Sequence, residues 1–106
     1  MDARSMAALL EQQSRAGRPY LEFLRSPTMS VGLYVLAPGA VDGQSPHAED
    51  EIYVVMAGAG SFSAGADTRE VAPGDVLFVA AHVPHRFHDI TEELHLIVVF
   101  APPESG

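Results

Sequence analysis

The chain has 106 residues, 47% of them apolar and 19% charged, a composition that fills the core of one domain and excludes a disordered chain. Six basic residues stand against fourteen acidic ones, a formal charge of −8, which argues against nucleic acid and anionic membrane surfaces as partners. There is no cysteine, so disulfides and thiolate metal sites are excluded, and without an apolar leader or a membrane-length apolar run the expected location is cytoplasmic.

In chain order, residues 2–16 predict a helix. Met6, Leu9, Leu10 and Gln13 recur at helical spacing, Asp2 or Ser5 can cap the start, and Gly17 followed by Pro19 marks the stop. Its apolar face is thin, so the helix is expected to pack outside a larger body or to close one end of it. From Tyr20 the pattern changes to strands and turns. Strands are expected at 20–24, 31–36, 52–56, 61–63, 69–71, 76–79, 85–88 and 94–100. Pro38-Gly39, Gly58, the tip at 64–67 and Pro73-Gly74-Asp75 supply the turn signals between them. This rhythm predicts an antiparallel sandwich or small barrel over residues 19–102, after a helical segment at 1–18 and before a frayed tail at 103–106. The runs IYVVM, VLFVA and LIVVF are apolar at both parities. Both faces of those strands therefore need cover, from a second sheet and the helix or from a partner subunit.

The residues able to carry chemistry are His47, Glu51 and His85, since two imidazoles and a carboxylate can hold a transition metal. An extended chain would separate His47 from Glu51 by about 13 Å, too far for one ion. Pro46 and the β-rich IYVV run argue against a helical turn there. A tight turn at Ala48-Glu49-Asp50 would instead put His47 at the end of one strand and Glu51 at the start of the next. By parity Tyr53 shares the Glu51 face, as core filler or as a substrate contact, and Phe87 shares the His85 face while His88 does not. His82, His88 and His95 are read as surface or hydrogen-bonded histidines. Glu49 and Asp50 are read as solvated turn carboxylates, and Phe62, Phe78, Phe87 and Phe100 as core or pocket wall.

Two stretches resemble the paired motifs of the cupin superfamily, small single-domain members in particular. Gly39 is followed by five residues, Ser45-Pro46-His47, three residues, Glu51, six residues and Gly58. Gly74 is followed by five residues, Ala80-Ala81-His82, two residues, His85, three residues and Asp89. The resemblance, which covers about 20–101, implies an all-β fold, the antiparallel double-stranded β-helix or jelly-roll barrel, with a divalent metal in its mouth and frequent homodimers. Carried over residue by residue, it implies His47, Glu51 and His85 as the ligands. Three departures stand out: Ser45 replaces the first histidine, Ala80 and His82 replace a Pro and a Gly, and Asp89 replaces an Asn. The fourth ligand position falls to the amide of Gln44, to Ser45 or to water. Three protein ligands with open positions suit Fe, Mn, Zn, Ni or Co. Two functions follow as expectations. One is a metal-dependent enzyme (dioxygenase, isomerase or lyase) acting on a small organic molecule. The other is a non-catalytic module that binds a small ligand, with a degenerate or empty metal site.

Overall fold

A computed structural model describes residues 1–43 and 45–105. Met6–Ala16 form the helix α1. Its N-cap is Ser5, whose hydroxyl accepts from the Ala8 N–H, and Gly17 ends it in the left-handed conformation at φ 68°. Asp2 lies before the helix and pairs with Arg4 at 2.7 Å, so Ser5 alone does the capping. Leu9 is the buried residue of the helix, which packs on the first two strands.

Those strands are Tyr20–Arg25 (β1) and Ser30–Leu36 (β2). They are followed by Asp50–Ala64 (β3), Asp67–Val71 (β4), Val76–Val79 (β5) and His85–Ala101 (β6). All pairings are antiparallel, in the order β1-β2-β6-β3-β4, with β5 also on β3. The sheet curls into the antiparallel double-stranded β-helix, with α1 on its outside. Its spine is the long pair β3–β6, in register from Asp50 opposite Ala101 to Ala64 opposite His85. The other edge of β3 is shared, residues 51–54 pairing with β5 and 60–64 with β4.

Six strands stand where the sequence predicts eight, because two pairs of predicted strands are continuous. The glycine taken as a stop, Gly58, sits at φ 98° within a run of register shifts between Val55 and Ser61. A Cβ at Gly58 would lie 2.2 Å from the Glu93 carbonyl oxygen, so the two backbones meet where only glycine fits. The strand runs on through this irregularity instead of ending.

Alternation sorts the side chains. Glu51, Tyr53 and Val55 point inward from β3, as do His85, Phe87, Leu94, Leu96, Val98 and Phe100 from β6. An aromatic cluster fills the centre, Phe87 lying 4.5 Å from Phe62 and 5.0 Å from Tyr53 between ring centroids. Phe78 does not join it. Leu77 and Val79 take the inward positions of β5, which leaves Phe78 at 64% exposure on the outer face beside Val76, Ile52 and Met56.

Candidate metal centre

His47 leaves the loop between β2 and β3, Glu51 is the first inward residue of β3, and His85 opens β6. Backbone contacts tie these starting points together. The His82 N–H donates to the His47 carbonyl at 2.7 Å, and the Ala81 N–H donates to Asp50 Oδ1 at 2.9 Å. His82 holds the turn at φ 68° although it carries a side chain, in the position where the motif has glycine. The chain bends at Ala48-Glu49, where the sequence reading expects a turn, but Asp50 already belongs to β3 and His47 ends no strand, lying instead in the loop that follows β2.

One ligand atom from each of His47, Glu51 and His85 lies within 4.8 Å of the other two. Bonds of 2.0–2.2 Å to one ion set ligand atoms about 3–4.4 Å apart, so small side-chain adjustments suffice. The electrostatics favour a cation here. Glu51 is 1% exposed, and neither of its carboxylate oxygens has a well-aligned hydrogen-bond donor among the described residues. A buried, unsatisfied carboxylate is costly, and a shared ion removes that cost.

His85 points to the same need. Its Nδ1–H donates to the Val83 carbonyl at 2.8 Å, which leaves Nε2 facing inward. That nitrogen is 2.8 Å from Glu51 Oε1 and 3.1 Å from the Tyr53 hydroxyl. A neutral imidazole would turn its lone pair on the carboxylate, so a proton or a metal belongs between them. Burial lowers the His85 pKa, but the Glu51 carboxylate, the Val83 carbonyl and the charge of Asp42 outweigh it and the net shift is upward.

The rest of the site lies around this trio. Tyr53 is fully buried and meets His85 through its hydroxyl, on the face that parity assigns to it. His47 packs edge-on against Phe100, the centroids 4.8 Å apart, with its Nδ1 3.4 Å from Glu104 Oε2. Ser45 is exposed, and the expectation for Gln44 lies outside the described residues. His88 faces away, bonded to Ser63 and Asp89, and His95 pairs with Glu93.

Sequence reasoning missed three acids. Asp42 is buried, accepting from the Tyr34 hydroxyl at 2.7 Å and the Phe87 N–H at 2.9 Å. Glu49, expected in solvent, is 5% exposed and accepts from the Ser105 hydroxyl. Glu104 belongs to a tail expected to fray, yet that tail is tied down. The Glu104 N–H donates to Ser30 Oγ and its carbonyl accepts from Arg25, both at 3.0 Å. Burial holds the Glu104 carboxyl above the usual carboxylate range against the pull of His47, and Glu49, Glu51 and Glu22 add to the rise. No spacing rule marks any of these three acids.

Beside His47 opens a cleft of about 840 Å³, lined among others by Tyr20, Tyr34, Val41, Phe100 and Glu104. The Tyr20 hydroxyl is buried with no hydrogen-bond partner among the described residues. Its ring rests on Gly32, where a Cβ would come within 2.2 Å of it.

Comparison with known proteins adds four findings. The family model described as the cupin domain matches residues 32–100. The uncharacterized protein SCO3923 of Streptomyces coelicolor is 52% identical over 86 residues, 81% of this chain and 82% of that protein. Among solved structures, TT1209 from Thermus thermophilus is similar at a TM-score of 0.78 and 23% identity, over 97% of this chain and 99% of its own. The DMSP lyase DddQ from Ruegeria pomeroyi is similar at 0.67 and 23%, over 72% of this chain and 39% of its own. At such identities the two structures share the fold.

Proposed function

The chain belongs to the cupin family, and from that premise we propose that His47, Glu51 and His85 hold one divalent transition metal, Fe, Mn, Zn or Ni, and that the protein acts on a small organic molecule admitted through the cleft beside His47. The observation that carries this reading is the buried Glu51 carboxylate, which has no well-aligned hydrogen-bond donor among the described residues and faces His85 Nε2 at 2.8 Å. A bound ion would act there as a Lewis acid toward a substrate oxygen. The chain's own residues do the rest. Val83 fixes the His85 tautomer, Tyr53 offers a hydroxyl at the His85 ring, and Tyr20 forms part of the cleft wall. The apolar walls, Val41 and Phe100 among them, exclude water from whatever binds. With Ser45 exposed, three protein ligands leave coordination positions open, which suits a lyase, isomerase or dioxygenase. The lyase option is supported by fold alone, through the similarity to a structure described as a DMSP lyase.

The test is turnover of a panel of small hydroxylated or enolisable compounds, with oxygen uptake recorded in parallel, by protein stripped with chelator and then reloaded. Activity lost on stripping and restored by one metal supports the enzyme. Activity that survives stripping rejects it.

A second reading has its own support: a proton between His85 and Glu51 satisfies that pair as a metal does. In that case the barrel is a non-catalytic module for a small ligand. Ligand binding that is indifferent to chelator, without turnover, selects it. In either reading two copies are proposed to pack through the outer face of β3 and β5, where Ile52, Met56, Val76 and Phe78 form an exposed apolar patch.

A further inference from the structure

Resting on the metal reading above, we propose that the C-terminal segment is a working part of the centre, with Glu104 the positioning carboxylate that sets the ring of His47 for metal binding. His47 lies on a loop outside the strands, without the backbone ladder that holds Glu51 and His85. Its ring has a carboxylate beside Nδ1 instead. Glu104 Oε2 stands 3.4 Å from His47 Nδ1, both side chains largely buried at 23% and 16% exposure.

The segment that delivers this carboxylate is held at three points. The Glu104 N–H donates to Oγ of Ser30, a fully buried residue; the Glu104 carbonyl accepts from Arg25; and the Ser105 hydroxyl donates to the buried carboxylate of Glu49. Two of these anchors are main-chain groups of Glu104 itself, so its side chain is left for His47. Glu49 lies two residues from His47, so the same few residues seat both the loop and the tail.

Histidines that bind metals almost always donate their second ring N–H to a carboxylate or carbonyl, which fixes the tautomer and the ring plane. His85 has the Val83 carbonyl for that purpose. Glu104 is the corresponding group for His47: with Nδ1–H directed to it, the Nε2 lone pair is the one offered to a cation. Glu104 does not belong to the ligand trio, which fits a role exerted through the ring and not at the ion.

The test compares wild type with Glu104→Met, Glu104→Ala, Glu104→Gln and His47→Ala. Met fills the same space without an acceptor, Ala covers the case in which Met does not fit, and Gln restores an acceptor oxygen. Two readouts are taken: Co²⁺ affinity from the visible absorption of the bound ion, and the His47 ring tautomer in metal-free protein at pH 8 from ¹⁵N shifts. Expected are a loss of about 10–100-fold in Co²⁺ affinity for Met and Ala, and recovery of most of it by Gln. The tautomer should be Nδ1-protonated in wild type and in Gln, and mixed in Met and Ala. Wild-type affinity in Met or Ala, an unchanged tautomer in them, or Gln as damaging as Met each overturns the positioning role and leaves the metal site standing. Failure of wild type to bind Co²⁺, or His47→Ala binding it equally well, overturns the metal reading and this inference with it.

Discussion

His85 has the Val83 carbonyl on one ring nitrogen, and the Tyr53 hydroxyl and the Glu51 carboxylate on the other. In metal-free protein the cationic ring is favoured, so its pKa lies above the ordinary 6.5. A histidine with a raised folded pKa contributes stability that is fully present below the unfolded value and lost as pH rises through the folded one. Denaturant unfolding of the metal-free protein should therefore show an advantage of wild type over His85→Asn that is larger at pH 6 than at pH 8. Metal affinity should run the other way and fall as pH drops through the raised pKa of His85, because the same nitrogen must give up its proton to bind. An advantage that grows toward pH 8 contradicts the upward shift. At this scale His47, Glu51 and His85 were legible because each sits at a fixed distance from a glycine that turns the chain. Asp42, Glu49 and Glu104 were not. Each reaches its place through tertiary contacts, Asp42 through Tyr34 and Phe87, Glu49 and Glu104 through the folded-back tail, and nothing in the neighbouring sequence records them.

At the scale of elements, β3 and β6 decide where the site forms. Each delivers a ligand at its start, and the two pair with each other along their length. Short apolar runs rich in β-branched residues revealed the pieces, since IYVV and LIVVF both read as strand. The continuity of the pieces was hidden, because a glycine at a bulge and a glycine at a turn look alike in sequence. Gly58→Ala tests the bulge: the added methyl would meet the Glu93 carbonyl at φ 98°, where no relaxation of a flexible side chain can relieve it. The expected loss of unfolding free energy is about 3 kcal/mol or more. A loss below about 1 kcal/mol would mean that the two strands do not approach this closely.

At the scale of the molecule, apolar residues at both parities demanded cover on two faces, and the structure supplies it unevenly. The inner face closes on the aromatic core and α1 covers part of the outer face, but Val76 and Phe78 remain 64% exposed. A dimer that buries this patch should elute at twice the chain mass at micromolar concentration, and Phe78→Asp should convert it to monomer. A wild type that is monomeric there contradicts the proposed interface. The barrel itself exists to bring together residues far apart along the chain, and the central claim is that three of them share one ion. Elemental analysis of protein purified without chelator, wild type beside His47→Ala, tests it most directly. About one transition-metal equivalent per wild-type chain and nearly none in the variant is the predicted result; equal metal in both, or none in either, contradicts a centre built on His47, Glu51 and His85.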